Sequence, residues 1–220
     1  MRSERYVTPD NMDLRCSAWL EEIRSGTRPR PWLTVAPDRC ALLVIDMLRH
    51  FAHPDGRSYL PATQAVVPGI MRLLQRWREL AAPVVFTAHS HGVSEDTGML
   101  GKFFNDHIRR GEDDARIIDE LAPLAGETVI TKSTYDAFHG TGLQEHLRSV
   151  GADQVLVTGV LTQLCCETTA RSAFVRGFEV YVAADATATA TEDLHTGSLK
   201  GMASGVAVIT SSTELIDDRG

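Results

Sequence analysis

Six short apolar runs recur along the 220 residues, near positions 41, 83, 128, 154, 178 and 205, and segments of helical spacing separate them. The run Ala41-Leu42-Leu43-Val44-Ile45 has no polar alternation. A strand of that kind is covered on both faces, which is the condition of a parallel sheet packed between helices. Strands alternating with helices are joined by right-handed crossovers, so the pattern predicts a three-layer α/β/α sandwich with a six-stranded parallel sheet. At 43% hydrophobic content the chain can bury one substantial core. The even rhythm places that core in one domain, 37–220, preceded by an arm, 1–36. In the arm, Asp10 or Asn11 is positioned to cap a helix through Leu14, Ala18, Trp19, Leu20 and Ile23, and Gly26, Pro29, Pro31 and Pro37 then enforce an extended linker. The arm reads either as packed on its own domain or as a cover for the site or a neighbouring subunit.

The strand Val155-Leu156-Val157 stops at Thr158-Gly159, and from Thr162 the period changes. Cys166, Thr169, Ala170, Ala173 and Gly177 recur at helical spacing as a stripe of small side chains, which lets a helix lie close to a sheet. Cys166 belongs to the stripe and reads as a buried small hydrophobe. Cys165 is turned about 100° from it and falls among the unpaired N–H groups that open a helix. Those groups and the helix dipole favour a thiolate. Cysteine is also among the most commonly buried residue types, so Cys165 alone reads equally well as core. Two further strands end in charge: Ala41 to Ile45 runs into Asp46, and Thr128-Val129-Ile130-Thr131 into Lys132. Singly, Asp46 reads as a helix cap and Lys132 as a solvated charge. Together, an acid, an amine and a thiol arrive at the carboxyl ends of three strands, the edge where an open parallel sheet binds ligands. Only three of the 22 basic residues are lysines, so one at a strand end stands out.

Three ordered motifs carry a resemblance: Asp-Met-x-x-x-Phe at 46–51, Lys-x-x-Tyr-x-Ala-Phe-x-x-Thr-x-Leu at 132–143, and Gly-Val-x-Thr-x-x-Cys-x-x-x-Thr-Ala-Arg at 159–171. Ala-Asp-Ala at 184–186, followed by His195, also fits. Over roughly 37–216 the chain resembles the isochorismatase-like cysteine hydrolases. The resemblance implies strand order 3-2-1-4-5-6 and a catalytic triad of Cys165, Asp46 and Lys132. In that triad the carboxylate accepts the thiol proton, the lysine holds both partners electrostatically, and the sulfur attacks a carbonyl or amidine-like carbon. It further implies a non-proline cis bond at Val160-Leu161 and an oxyanion hole made by the backbone N–H groups of Leu161 and Cys165. The expected reaction is hydrolysis of a C–N bond in a small non-peptide amide, carbamoyl or ureido compound through a thioester. The alternatives are an isochorismatase-type vinyl ether hydrolase, in which Asp46 protonates substrate, and a catalytically inactive oligomeric scaffold.

Loops at the strand ends supply candidate substrate contacts: Phe51 and Tyr59 after the first strand, His89 and His91 after the second, Tyr135 and Phe138 after Lys132, and Thr162 beside the cysteine. The family's nicotinamidase branch has Asp-x-His at the second strand's end and binds a metal. Here Thr87 stands at the acidic position, no third ligand is in view, and neither metal nor cofactor is expected. Residues 92–114, long and polar with Met99, Leu100, Phe103 and Phe104 embedded, read as a lid or an interface. Asp185 reads as a structural hydrogen-bonding residue. A net charge of −7 argues against nucleic acid or anionic membrane as partner. No apolar run is long enough to span a bilayer, and the first residues lack a signal peptide's apolar core. The four cysteines, lacking Cys-x-x-Cys spacing, are expected to be reduced thiols in a cytoplasmic, homo-oligomeric enzyme (dimer or tetramer) with a small-molecule substrate.

Overall fold

A computed structural model describes residues 3–217. Its six strands are β1 (Cys40–Ile45), β2 (Val84–His89), β3 (Thr128–Lys132), β4 (Gln154–Val160), β5 (Glu179–Ala188) and β6 (Val208–Thr210). They form one parallel sheet in the order β3-β2-β1-β4-β5-β6. The helices are α1 (Met12–Ser25), α2 (Arg49–Ala52), α3 (Thr63–Glu79), α4 (Gly98–Phe104), α5 (Leu143–Ser149), α6 (Glu167–Val175), α7 (Glu192–Gly205) and α8 (Ser212–Asp217). The unbroken apolar runs take the two central places, where every residue of β1 and of β4 is buried. None of these helices is long and apolar enough to cross a membrane.

α3 begins at Thr63 and carries Pro68 inside it. A proline there leaves the carbonyl four residues back without its helical donor. The helix tolerates this because Val66, Ile70, Leu73, Leu74 and Trp77 bury one continuous stripe, and the Trp77 indole donates to the Cys40 carbonyl at 2.7 Å. The last strand starts at Val208 rather than Gly205, since α7 runs on through Gly205. β5 extends to Ala188, so Asp185 lies within it. There its carboxylate accepts the Ser212 N–H at 2.7 Å and the Ser212 hydroxyl, holding the start of α8 as a structural residue would.

The arm helix α1 packs against β5 and α7 of its own domain. Met12, Cys16, Trp19, Leu20 and Ile23 form its buried face, while Leu14, expected on that face, is exposed. The apolar pair at 117 and 118 leads only into a single 3-10 turn, Asp119–Leu121. The Ile118 N–H is instead committed to the Met47 carbonyl at 3.0 Å, and Ile117 bridges Leu48. All four cysteines are free and buried.

One glycine is required by close packing at the site. Gly159 in β4 has φ of 104°, and a Cβ there would lie 2.0 Å from the Ile45 carbonyl oxygen. Only a residue without a side chain lets the thiol-bearing connection leave β4 against the end of β1.

Candidate active site

β1 ends at Ile45, and Asp46 turns the chain with φ of 47°, a left-handed conformation that aspartate tolerates better than most residues. Thr87 on the neighbouring β2 holds this turn. Its hydroxyl accepts the Asp46 N–H at 3.1 Å and donates to Asp46 Oδ1 at 2.6 Å. Lys132 ends β3, two strands from β1, a separation of about 10 Å at the usual strand spacing. Its four-carbon stem spans that gap, and Nζ sits 2.6 Å from Asp46 Oδ2 with both side chains fully buried. The same ammonium donates to the Thr134 carbonyl at 2.9 Å and to Cys165 Sγ at 3.5 Å. The acid, the amine and the thiol are therefore one contiguous group.

Cys165 does not stand in the first turn of an ordinary helix. Residues Thr162–Cys166 form a π-helical turn ahead of α6, in which the Cys166 N–H reaches back five residues to the Leu161 carbonyl at 3.2 Å. The bond between Val160 and Leu161 is cis. Cys166, Thr169, Ala170 and Ala173 form the buried stripe, and Gly177 lies past the helix end.

The electrostatics reverse one expectation. Burial pushes the Cys165 thiol up to about 12, and Asp46 adds to that shift while Lys132 opposes it. The helix-start effect is too small to ionise a thiol enclosed this way. Burial also pushes Asp46 up, but Lys132, His89 and the Thr87 hydroxyl outweigh it and hold the carboxyl below the usual carboxylate range. Burial pulls Lys132 down, and Asp46 and the sulfur overcome that, so the ammonium persists. At rest the site holds a carboxylate, an ammonium and a neutral thiol.

The carboxylate and the thiol open on a cavity of about 430 Å³, lined by Asp46, Cys165 and Leu161. Of the residues expected to touch substrate, Phe51, Tyr59, His89, His91 and Tyr135 line it. Phe138 and Thr162 do not. Asp136 caps the turn after Tyr135 by accepting the Phe138 N–H at 2.8 Å, and Phe138 packs into the core beside Phe178, its ring centroid 5.9 Å away. Thr162 is fully buried behind the cysteine, its Oγ1 2.9 Å from His195 Nδ1. Sequence reasoning missed Thr87's grip on Asp46. It also missed the walls contributed by His50, Arg57, Leu164, Ile108 and His107, and by Ser3 and Ala190 on either side of the arm's start. Leu100 and Phe104 of α4 line the cavity too.

His89 and His91 face each other with ring centroids 5.2 Å apart. A metal site needs a third donor. The Thr87 hydroxyl is already spent on Asp46, His107 receives a hydrogen bond from Arg109 at 3.2 Å, and no group of three or more His, Cys, Asp or Glu is gathered for a metal among the described residues. The residues present do not fit a metal.

Burial lowers His89 to about 4, a shift that Asp46 only partly opposes, and lowers His195 to about 3. Each is neutral when folded and charged at acid pH when unfolded, so each contributes stability that is full above about pH 6.5 and is lost as pH falls towards its folded value. From pH 7 to pH 5 each should cost about 2 kcal/mol of unfolding free energy. Urea titrations at the two values test this: the drop should shrink by about 2 kcal/mol in His89→Gln, and an unchanged drop would refute it.

Comparison with known proteins gives the following likenesses. The family model described as the isochorismatase domain matches residues 40–214. Nicotinamidase 3 of Arabidopsis thaliana is 40% identical over 178 residues, covering 80% of this chain and 86% of that protein. Enterobactin synthase component B of Escherichia coli K12 is 33% identical over 82% of this chain, which spans only 63% of that longer protein. Among solved structures, a cysteine hydrolase from Pseudomonas syringae pv. phaseolicola 1448A superposes with a TM-score of 0.82 at 29% identity, covering 86% of this chain and 96% of its own.

Proposed function

The chain belongs to the isochorismatase family, and on that premise we propose that it is a cysteine hydrolase of C–N bonds in small non-peptide amide, carbamoyl or ureido compounds. The observation that carries this is the contact chain from Cys165 Sγ through Lys132 Nζ to Asp46 Oδ2, opening on a cavity with aromatic walls. Both the likeness to Nicotinamidase 3 and that to a cysteine hydrolase favour the same chemistry.

In the proposed reaction Sγ attacks the substrate carbon as the thiol proton passes to Asp46, leaving an oxyanion on the former carbonyl oxygen. A thiol this weakly acidic does not ionise beforehand, so proton transfer and attack proceed together. The main-chain amides of Leu161 and Cys165, both on the cavity wall, receive the oxyanion, each donor being worth about 3 kcal/mol. Collapse breaks the C–N bond, Asp46 returns the proton to the departing ammonia or amine, and a thioester remains. Water, giving its proton to Asp46, then cleaves the thioester, and the sulfur recovers that proton. Lys132 stays charged throughout and balances the negative charge as it moves between carboxylate and sulfur.

Vinyl ether hydrolysis is the second reading, favoured by the likeness to Enterobactin synthase component B. It requires a protonated acid at Asp46, whereas Lys132 and Thr87 hold that group ionised. Release of ammonia from a panel of small amides, set against turnover of a vinyl ether acid, decides between them.

The pH profile follows from the same charges. Activity needs Asp46 ionised, and its depressed value puts the acid limb below about pH 4, so kcat/KM should be flat from about pH 5 to 9. Thr87→Val removes a donor that favours the charged carboxyl and should move the acid limb up by about one pH unit. An unmoved limb would remove Asp46 from the proton path.

A further inference from the structure

Thr162 opens the turn that carries Cys165, yet it touches no part of the cavity. It is fully buried, and its hydroxyl and its carbonyl are both held by one face of α7. Its Oγ1 lies 2.9 Å from His195 Nδ1, and its carbonyl lies 3.2 Å from the Ser198 hydroxyl, one helical turn further on. Ser198 also contacts Glu167 Oε2, at the start of α6, at 2.6 Å. The thiol-bearing turn is thus pinned at its first residue by two side chains of α7, and just past its last by one of them, Ser198.

His195 is itself caged by the arm. Its ring meets Trp19 of α1 edge-on with centroids 4.7 Å apart, and Tyr6 lies 5.8 Å away on another side. The Trp19 indole donates to Glu192 at 2.7 Å, one turn before His195 on α7. The Tyr6 hydroxyl accepts the Thr189 N–H at 3.2 Å, and the Glu4 N–H donates to the Ala190 carbonyl at 2.8 Å. The imidazole is completely buried, packed between the arm on one side and Thr162 on the other.

We propose that His195 is a positioning residue for the Cys165 turn, acting through the Thr162 hydroxyl, and that Tyr6 and Trp19 of the arm hold it in register. It touches neither substrate nor sulfur. The inference deepens the cysteine hydrolase reading for kcat but reads the thiol directly as well, so the two can fail separately.

The test uses the full chain and compares His195→Ala, Thr162→Val, the double variant and Thr162→Ser. The rate of Cys165 alkylation by iodoacetamide at pH 8 is followed by peptide mass, with urea midpoints as a folding control. A displaced sulfur leaves Lys132, so each of the first two variants should alkylate about 10-fold more slowly, since displacements near 1 Å at reacting groups have effects of about 10- to 100-fold. The double variant should be no slower than the slower single, because one linkage has been broken twice. Thr162→Ser, which keeps the hydroxyl, should restore the parent rate. Trp19→Leu should slow alkylation in the same direction. Where an active amide substrate is in hand, kcat should fall by a similar factor with KM unchanged. Alkylation at or above the parent rate in both singles, losses that multiply in the double variant, or a Thr162→Ser as slow as Thr162→Val each overturn the proposal. If His195→Ala does not fold, the Thr162→Val and Thr162→Ser pair decides alone. Failure of every amide to turn over, with the alkylation pattern intact, would sink the reaction assignment and leave the positioning role standing.

Discussion

Cys165→Ala is expected to lower kcat/KM for ammonia release by about four to six orders of magnitude, the loss typical when the nucleophile of a covalent mechanism is removed. No other sulfur can replace it. Cys166 is fully buried, its own thiol 3.8 Å from the Thr158 carbonyl and directed into the sheet. Cys165→Ser separates nucleophilicity from shape. A hydroxyl is far less acidic than a thiol, and a carboxylate held as low as Asp46 is a poor base for it, so serine should lose at least about 10³-fold. Both variants should unfold near the parent's urea midpoint, because one buried sulfur contributes about 1 kcal/mol of packing. A slow substrate should leave an acyl adduct on Cys165 in the intact-mass spectrum of the parent enzyme and none in the alanine variant. Undiminished ammonia release in Cys165→Ala would refute the thioester mechanism, whereas turnover of a vinyl ether acid that survives the substitution would transfer the assignment to vinyl ether hydrolysis, where Asp46 is the acid and no thiol takes part.

The fold was legible because its central strands advertise burial on both faces. Ala41 to Ile45 and Val155 to Val157 admit few other placements, and each reactive residue follows its strand directly. What eluded the sequence depends on register or on the direction in which a loop leaves. Thr87 is an ordinary strand residue until β2 is laid beside β1, when its hydroxyl meets Asp46. Phe138 follows Tyr135 by three residues, yet the Asp136 cap turns the chain between them, so one ring faces the cavity and the other the core. The π-turn inserts an extra residue ahead of α6, and Thr162 turns to α7 as a result. The thiol's acidity was misjudged for a different reason: a helix start is a local feature readable from spacing, whereas enclosure beside a carboxylate is not. The cavity wall from 92–114 carries no periodicity from which Leu100 or Phe104 could have been placed.

Breaking the Asp46–Lys132 pair from either side should cost about 3 to 5 kcal/mol of unfolding free energy at pH 7, while removing both charges together should cost little or even stabilise. The asymmetry arises because both side chains are fully out of water, so a lone survivor pays its whole desolvation penalty. Asp46→Leu strands an ammonium against the neutral Cys165 thiol and the Thr134 carbonyl. Lys132→Met strands a carboxylate with the Thr87 hydroxyl and the Cys165 thiol as its remaining side-chain donors. The two singles should then differ with pH. Without Lys132, burial raises the folded value of Asp46 above its unfolded one, so Lys132→Met regains stability as pH falls and loses it as pH rises through that folded value. In the parent protein the depressed Asp46 has the opposite sign, contributing above about pH 4 and lost below it. Urea unfolding of the two singles and of Asp46→Leu with Lys132→Met, at pH 5 and pH 8, reads both effects. A double variant as stable as the parent and without activity would mean that the pair is kept for proton transfer at the cost of core stability. A double variant as damaged as the worse single would instead make the ion pair a structural member of the fold, and its nearness to Cys165 would no longer argue for catalysis.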